Sequence, residues 1–599
     1  MANTPGLKLP LIIILLSAAL FAGGLLLFLG DREEPVPVTP AATPERIQAP
    51  AVSPTPARFT DITREAGIDF IHVNGAYGDR LLPETMGAGV AFFDADNDGD
   101  QDLLFVNSDA WPGHRPADTP AATLALYAND GSGRFTDITA QAGLDTGCYG
   151  MGVAAADIDN DGWQDLFITC VGGNRLFRND EGRFTEITGK AGVAGAEESW
   201  STGALFFDME NDGDLDLFVL NYIRWSQEID RSVNFQLTGI GRAYGPPTAF
   251  EGTFPYLYEN DGKGYFTDIS AASGVQVRHP ATGRPVAKGL ATVALDVDND
   301  GLLDLAVAND TVQNFLFRNL GDGRFEEIGT GMGIAYDRNG HATGAMGIDA
   351  AHYRNDGTLG VVIGNFANEM SSLYVMPQPD IPFSDDAIIE GIGPASRQVL
   401  SFATLFLDYD LDGRLDLLEI NGHIENEINR VQSSQQYAQP PQLFWNCGDA
   451  CDTAFLLAGS DTGNALFAPI VGRGAAYADI DGDGDLDLAL TRTGGRAILL
   501  RNDTPRSGNW LRLWLAGSSD NRDAIGAEVT LTADNGMQKR RVTPVRGYLS
   551  QVEMPLTFGL GEATQVSVEI RWPEGTTQRF DELPINRQLR IVQGETPDL

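Results

Sequence analysis

Six acidic nonapeptides recur along the chain, and the types and spacing of their side chains are those of a site for a hard cation. Each follows the pattern D-x-D-x-D-G-x-x-D, except that one copy has glutamate at position 3. The carboxylates at positions 1, 3, 5 and 9 and the backbone carbonyl at position 7 can converge inside one tight turn, because glycine at position 6 permits the bend. Ca²⁺ is bound by about six to eight such oxygen atoms. The pattern therefore predicts six calcium sites.

We number the loops in chain order, and each loop contributes predicted ligands at positions 1, 3, 5, 7 and 9. They are Asp94, Asp96, Asp98, Asp100 and Asp102 in loop 1; Asp157, Asp159, Asp161, Trp163 and Asp165 in loop 2; Asp208, Glu210, Asp212, Asp214 and Asp216 in loop 3; Asp296, Asp298, Asp300, Leu302 and Asp304 in loop 4; Asp408, Asp410, Asp412, Arg414 and Asp416 in loop 6; and Asp479, Asp481, Asp483, Asp485 and Asp487 in loop 7.

A decayed copy of the nonapeptide, loop 5, begins at Asp349. It keeps only Asp349, Asn355 and Asp356 as oxygen donors, so no calcium site is predicted there.

Two other interpretations of the loops compete with calcium binding. An EF-hand needs a bidentate glutamate at position 12 and flanking helices, but position 12 of loop 1 is Phe105, within an apolar run. Solvated Asp, Asn and Gly turns without metal are the second alternative. Turn formation alone does not call for an acid at position 9, and four carboxylates this close would repel one another without a cation.

The residues around the loops predict a sheet structure that positions the acids. Short apolar runs such as 89–93 and 103–106 flank each nonapeptide and indicate two buried strands with the loop as their turn. A second module follows, in which an Asn-Asp-Gly turn precedes Phe-Thr-Asp-Ile-Thr, as in 129–144. It adds another hairpin, so each unit has the four strands of a propeller blade.

The order of these modules predicts how the ring closes. Phe-Thr-Asp-Ile-Thr already occurs at 59–63, before the first loop, whereas the last unit ends at Asn502 without this stretch. We therefore expect the N-terminal strand to complete the last blade, which removes the free sheet edges. The predicted fold class is all-β, with a seven-bladed propeller at 58–504.

The N-terminus predicts a location outside the cytoplasm. Residues 1–8 are assigned to the cytoplasm and 9–30 to a single transmembrane anchor or uncleaved signal, since 11–29 is almost wholly apolar. A positive charge before this segment and acids after it place the remaining chain in the periplasm or outside the cell. The proline-rich residues 31–57 are predicted to be an extended spacer, with a disordered leader as the alternative.

Composition excludes one class of partner and bears on the compartment. The 599 residues include 83 acidic and 41 basic side chains and carry a net charge of −42. A general nucleic-acid binder needs basic surface, so that class is excluded.

An even number of cysteines fits an oxidising compartment, with Cys148 pairing Cys170 and Cys447 pairing Cys451. Four buried thiols are the alternative.

The tandem nonapeptides resemble the FG-GAP or VCBS repeats of integrin α-subunit propellers and bacterial surface proteins, over roughly 59–504. This resemblance implies that calcium has a structural role at one face, while ligands meet loops elsewhere. Residues 505–599 alternate as half-exposed strands do, which predicts a small β-sandwich-like domain. Its stretches 521–527, 547–551, 558–561 and 571–575 resemble the ASPIC/UnbV domain. Arg522 and Asp523 within it are interpreted as a ligand clamp or a loop salt bridge.

These features predict a binding or adhesion module for an extracellular or envelope protein or polysaccharide. Recognition is expected in the insertions 222–256, 376–400 and 424–441, because loops on a rigid scaffold usually carry it. Residues that could contact a ligand there, or could merely pack the loops, are Tyr222, Trp225, Tyr244, Phe250, Gln435, Gln436 and Tyr437.

Two alternative functions remain open at this point. One is a polysaccharide lyase or hydrolase with its site in the propeller funnel, and the other is a structural component of an envelope complex. No catalytic residue is predicted, because the chain has no nucleophile elbow, no HExxH motif and no phosphate-binding loop.

Overall fold

Strands dominate the chain in the computed structural model, which describes residues 52–459, 464–505, 508–534 and 536–596. The predicted anchor at 9–30 and most of the predicted spacer lie outside these residues. Over the described ranges, no helix combines the length and the apolar character that crossing a bilayer requires. Ser53–Leu599 forms one compact unit. The expected all-β class is confirmed.

The strands of the repeat region are short and follow the predicted hairpins. They are β1 (Phe59–Asp61), β2 (Val90–Phe93), β3 (Asp102–Phe105), β4 (Ala125–Asn129), β5 (Phe135–Asp137), β6 (Tyr149–Ala156), β7 (Asp165–Val171), β8 (Arg175–Asp180), β9 (Arg183–Glu186), β10 (Ser201–Phe207), β11 (Asp216–Asn221), β12 (Gln236–Leu237), β13 (Gly241–Arg242), β14 (Tyr256–Asn260), β15 (Phe266–Asp268), β16 (Gly289–Leu295), β17 (Asp304–Asn309), β18 (Phe315–Asn319), β19 (Phe325–Glu327), β20 (Ala345–Ala351), β21 (Leu359–Asn365), β22 (Ser372–Met376), β23 (Ser384–Asp385), β24 (Ser401–Leu407), β25 (Asp416–Asn421), β26 (Gln442–Asn446), β27 (Phe455–Leu457), β28 (Gly472–Ala478), β29 (Asp487–Arg492) and β30 (Ile498–Asn502).

These strands form sheets that we number in chain order. Sheet 1 contains β2–β5, sheet 2 β6–β9, sheet 3 β10, β11, β14 and β15, sheet 4 β16–β19, sheet 5 β20–β23, sheet 6 β24–β27, and sheet 7 β28–β30 with β1. In each sheet, strands that are neighbours in the sequence pair antiparallel. The strands β12 and β13 form a separate hairpin in the first predicted insertion.

The sheets follow one another around a ring. The first strand of each sheet contacts the first strand of the next, from β2 through β6, β10, β16, β20 and β24 to β28, and β28 contacts β2. The strand β1 pairs with β30, with Phe59 opposite Asn502. The prediction that the N-terminal strand completes the last sheet is therefore confirmed. Both predicted disulfides, Cys148–Cys170 and Cys447–Cys451, are also present.

Helices are confined to short connections. The α-helices are α1 (Thr139–Ala142), α2 (Thr188–Ala191), α3 (Gln227–Val233), α4 (Ser270–Ser273) and α5 (Gly393–Ser396), and the 3₁₀ turns are Leu82–Thr85, Pro247–Ala249, Ile428–Arg430, Gly448–Ala450 and Ala465–Phe467.

The C-terminal region contains two sheets of its own. Its strands are β31 (Asn509–Ala516), β32 (Glu528–Ala533), β33 (Gly536–Arg541), β34 (Val545–Arg546), β35 (Ser550–Gln551), β36 (Leu556–Gly561), β37 (Val566–Arg571), β38 (Thr577–Phe580) and β39 (Gln588–Val592). One sheet has the order β36-β31-β39 and the other β33-β32-β37-β38. Leu511, Val529 and Phe558 share a buried core with side chains of sheets 2 and 3, so the two regions pack together.

The hairpin β34–β35 belongs to neither C-terminal sheet. This central hairpin (residues 543–553) extends sheet 1, where Gln551 pairs with Ala91 of β2 in parallel. It also contacts the first strands of sheets 2, 4, 5, 6 and 7. A Cβ on Gly89, which precedes β2, would lie 2.0 Å from the carbonyl oxygen of Leu549. The sequence predicted strands for the C-terminal region but not this insertion among the repeat sheets.

Candidate metal centres

Each acidic loop connects the first and second strands of its sheet, and its backbone explains the repeated letters. The residue at position 4 adopts a left-handed conformation, as in Asn97, with a φ of 58°, and Asn160, with a φ of 57°. Asparagine tolerates this conformation better than most residues with a side chain. The glycine at position 6 also has a positive φ, 97° in Gly99. The loops therefore turn tightly enough to bring their carboxylates together.

In five of the six predicted loops, three carboxylates converge with one oxygen from each within 4.8 Å of the others. Loop 3 does not form such a group. There Glu210 replaces the usual aspartate, and burial together with the neighbouring Asp212 raises the pKa of Glu210 to about 7. The five groups are Asp94, Asp96 and Asp102; Asp157, Asp159 and Asp165; Asp296, Asp298 and Asp300; Asp408, Asp410 and Asp416; and Asp479, Asp481 and Asp483.

The residue at position 5 belongs to the converging carboxylates in only some loops, and the residue at position 7 belongs to them in none. The aspartate at position 5 joins the converging group in loops 4 and 7, as Asp300 and Asp483. One oxygen of Asp98 in loop 1 accepts the N–H of the position 7 residue at 3.0 Å, and Asp300 and Asp483 accept the same bond in loops 4 and 7.

The aspartate at position 9 is held by backbone hydrogen bonds in all six loops. One oxygen of Asp102 accepts the N–H of Ala95 at 2.9 Å, and the other accepts the N–H of Asn129 at 2.9 Å. In every loop, the second of these two hydrogen bonds is donated by the backbone N–H of an asparagine. This asparagine lies at or near the end of β4, β8, β14, β18, β26 or β30. These residues are Asn129, Asn179, Asn260, Asn319, Asn446 and Asn502.

The same asparagines also join neighbouring loops, a role that the sequence analysis missed. The side chain of Asn179 donates to the carbonyl oxygen of Ala95 in loop 1 at 2.9 Å. The side chain of Asn129 donates to Ile480 in loop 7, also at 2.9 Å, and so links the first loop to the last. The sequence carries a signal for this role, since Asn129, Asn179, Asn260 and Asn319 each open a turn module, but a turn alone is enough to explain an asparagine there.

Several loop oxygens are buried and have no hydrogen-bond partner. They include one oxygen each of Asp159 and Asp410. An orphaned buried carboxylate oxygen is costly unless a cation satisfies it. Burial and neighbouring carboxylates also raise the pKa of Asp94 to about 7, and burial raises the pKa of Asp102 to about 8. The donor set therefore fits a hard divalent cation such as Ca²⁺.

These pKa values predict that calcium affinity depends on pH. Calcium must displace the protons of Asp94 and Asp102, so binding to loop 1 should tighten as the pH rises from 6 to 8, by about tenfold through Asp94 and about fiftyfold through Asp102. Competition with a calcium indicator at both pH values measures this change. Equal affinity at pH 6 and pH 8 would show that these carboxyls are not ligands.

Without bound calcium, a rise in pH is expected to destabilise the folded chain. A carboxyl whose pKa is raised by folding binds more protons in the folded chain, so the metal-free protein should lose stability as the pH rises from about 4 to about 8. A chelator titration over this range provides the control.

The structure corrects the register of loop 5. The left-handed position 4 residue is Asn355, and the side chain of Asn446 reaches Tyr353 as the equivalent asparagines reach position 2 elsewhere. Position 1 is therefore His352. Asp349, at which we placed the start of this copy, lies in β20 and accepts a hydrogen bond from Arg546 of the central hairpin at 3.1 Å. It does not belong to the loop.

The C-terminal region covers the loops. The guanidinium of Arg512 lies 3.3 Å from Asp479 of loop 7, and that of Arg541 lies 3.7 Å from Asp296 of loop 4. Asp523 accepts hydrogen bonds from the backbone of Asp157 and the side chain of Gln164, at 2.7 and 3.1 Å. Asp523 is therefore an anchor on loop 2, which neither of its two earlier interpretations anticipated.

The predicted recognition insertions lie at the other ends of the strands. Loop 3 precedes β11, whereas Tyr222 follows the end of this strand and lines a cavity together with Tyr244. Trp225 and Phe250 are buried in a core cluster, so loop packing is their role. The amide oxygen of Gln435 accepts a hydrogen bond from Gln439. The insertion 376–400 contributes no residue to this cavity.

Comparison with known families agrees with the two regions of the chain. A model of the FG-GAP-like repeat matches residues 94–168, 157–219 and 296–363. A model named ASPIC and UnbV matches residues 517–598, which include the central hairpin.

Two curated relatives match most of the chain. Cartilage acidic protein 1 of Xenopus tropicalis is 25% identical over 545 residues, which cover 86% of this chain and 75% of the relative. The Homo sapiens protein of the same name is 25% identical over 518 residues, covering 82% and 70%. Among solved structures, an Agrocybe aegerita lectin that recognises non-reducing terminal N-acetylglucosamine aligns with a TM-score of 0.37 and 15% identity, over 70% of this chain and 94% of the lectin. A score this low carries no argument.

Proposed function

We propose that this chain, which carries FG-GAP-like repeats and an ASPIC and UnbV domain and is homologous to cartilage acidic protein 1, is a calcium-stabilised binding module. In this proposal the sheets are the blades of a closed seven-bladed propeller, and the acidic loops hold structural calcium ions. The module binds a protein or polysaccharide outside the cytoplasm, where residues 9–30 anchor it, and it catalyses no reaction.

The observation that carries the proposal is the repetition of one donor set at the same place in successive sheets. Three carboxylates converge in five loops, and several of their oxygens are buried without a hydrogen-bond partner. Bound calcium would neutralise these charges and tie the first strand of each sheet to the second. Hydrogen bonds of the chain itself hold the loops together, because the position 9 aspartates and their asparagine partners already link neighbouring loops.

Ligand binding is assigned to the other ends of the strands because the C-terminal region already covers the loops. Arg512, Asp523 and Arg541 all contact loop residues. The insertions 222–256 and 424–441 lie at the opposite strand ends and line a cavity there. A rigid scaffold that presents such loops is the usual design of a recognition protein.

The position of the central hairpin argues against an enzyme with its site in the funnel. Polysaccharide cleavage there would need a channel open to substrate between the first strands. Tyr548 instead packs on Phe402 and donates to the carbonyl oxygen of Met86 at 3.0 Å, and Gln551 hydrogen-bonds Ala155 of β6. The chain itself therefore occupies this space.

Protein and glycan arrays probed with the full chain in calcium and in chelator test the proposal. We expect a ligand to be retained in calcium and lost in chelator. Metal analysis of the purified chain should find several bound calcium ions, and fewer than about three would overturn the loop assignment. Release of sugar products would favour the enzyme, and a stoichiometric partner that co-purifies would favour a structural component of an envelope complex.

A further inference from the structure

A cavity of ≈ 300 Å³ lies where the second strands of several sheets end, away from the acidic loops. Its wall is mainly apolar and includes Phe235, Tyr244, Met346 and Phe366. Met86, one of the lining residues, accepts a hydrogen bond from Tyr548 of the central hairpin at its carbonyl oxygen, at 3.0 Å. The size and lining are typical of a small-molecule site.

The charged groups of this cavity are all acidic. Asp310, Glu369 and Glu425 line it, whereas no lysine or arginine occurs among the described residues of its wall. Asp310 accepts a hydrogen bond from Tyr222 at 2.5 Å, and Glu369 accepts the N–H of Gly344 at 2.7 Å. Two cations outside the lining act on these acids: Arg80 pairs with Glu425, and Lys288, which donates to the carbonyl oxygen of Pro247 at 2.7 Å, favours the ionised form of Asp310.

One of these acids has an unused acceptor. Arg80 binds one carboxylate oxygen of Glu425, but the other oxygen is buried and has no hydrogen-bond partner. His423 also lines the cavity, and burial lowers its pKa to about 4, so its ring is neutral at pH 7 and adds no positive charge. A buried acceptor of this kind favours a donor carried by a ligand.

We propose that this cavity binds a small organic cation, with its charged group facing Asp310, Glu369 and Glu425 and its apolar body against Phe235 and Tyr244. The inference rests on the proposed function, because it gives the ligand class of the recognition face. The aromatic rings add cation–π attraction to the charge pairing. An anion would meet like charges in a site with little water, and a neutral sugar would leave the apolar wall without a matching surface.

The test is calorimetric titration of the full chain with benzylammonium, benzyl alcohol and benzoate, which share one aromatic body and differ in charge. We expect benzylammonium to bind about tenfold more tightly than benzyl alcohol, and benzoate not to bind. Glu369→Gln and Asp310→Asn should each weaken benzylammonium binding severalfold. Glu326→Gln, an exposed carboxylate on β19, is the matched control and should change nothing.

A second variant protects the test against misfolding. Leu237 is half-buried in the cavity wall, and Leu237→Trp should fill the space and abolish binding without removing a buried charge. Equal affinity for the cation and the alcohol, tighter binding of benzoate, or unchanged binding by Leu237→Trp would each overturn the inference. Thermal unfolding of the same preparation with and without calcium separates the two proposals. If calcium raises the unfolding midpoint but benzylammonium does not bind, the cation site is wrong and the calcium-stabilised module still stands.

Discussion

Removal of calcium is expected to lower the midpoint of thermal unfolding of the full chain by about 10 °C. A ligand that binds only the folded state stabilises it by about 2.7 kcal/mol per site when its free concentration is 100 times Kd. Five loops with converging carboxylates would together contribute about 13 kcal/mol. Chains of this length have a large unfolding entropy, so the shift per kcal/mol is less than about 1 °C. The measurement is calorimetry in calcium and in chelator, with magnesium as the control ion.

The variant Asp102→Asn measures how much of this shift in the midpoint comes from loop 1. In chelator at pH 7, burial keeps Asp102 largely protonated, since its pKa is raised to about 8, and asparagine resembles the protonated acid. Both oxygens of Asp102 accept backbone N–H groups, however, and the amide NH2 of asparagine cannot accept, so the midpoint in chelator should fall by about 1 to 2 °C. In calcium it should fall by about a further 2 to 3 °C, because the site is lost as well. Asp322→Asn, at a side chain that is 88% exposed, is the matched control. An equal fall in both conditions would mean that Asp102 acts only through its hydrogen bonds.

Gly89→Ala is expected to displace the central hairpin. The added methyl group would lie 2.0 Å from the carbonyl oxygen of Leu549, a backbone atom that cannot rotate away. Overpacking costs about 1 to 3 kcal/mol, and retreat of the hairpin would also break the bonds between Gln551 and Ala155, each worth about 1 kcal/mol. The midpoint should fall by about 3 to 4 °C. Limited proteolysis with mass spectrometry should show new cleavage within 543–553.

Gly189→Ala is the control for this variant. Gly189 lies in α2, and no atom lies within 4 Å of the position that its Cβ would occupy. Alanine favours a helix over glycine, so the midpoint should stay constant or rise slightly. If Gly89→Ala also left the midpoint and the cleavage pattern unchanged, the central hairpin would not be packed against β2 as described.

The sequence by itself determined the features that depend on local chemistry. Aspartates at fixed spacing around glycine define each loop, and apolar runs beside it form strands because they are too short and too β-branched or aromatic for helices. The displaced Phe-Thr-Asp-Ile-Thr stretch was enough to predict that β1 pairs with β30. The two disulfides could also be predicted, since only a few pairings of the cysteines are possible.

Loop 5 shows where this local reasoning failed. A copy aligned on its first acid begins at Asp349, although the Asn-Asp-Gly turn at Asn355 fixes the register three residues later. Once the acids of a loop have been lost, the backbone conformation of position 4 identifies the copy better than its charges do. Asp349 is acidic for a different reason, because Arg546 lies against it.

Only the tertiary structure decided the contacts between residues that are distant in the sequence. Arg546 and Asp349 are 197 positions apart, and Asn129 and Ile480 are 351 apart. No periodicity relates such pairs, because the closure of the ring and the insertion of the central hairpin bring them together. The acidic cavity arises in the same way from Asp310, Glu369 and Glu425, which lie in three separate connections. Local spacing thus determined the loops and strands, and the closure of the chain determined what covers the loops and what faces the ligand.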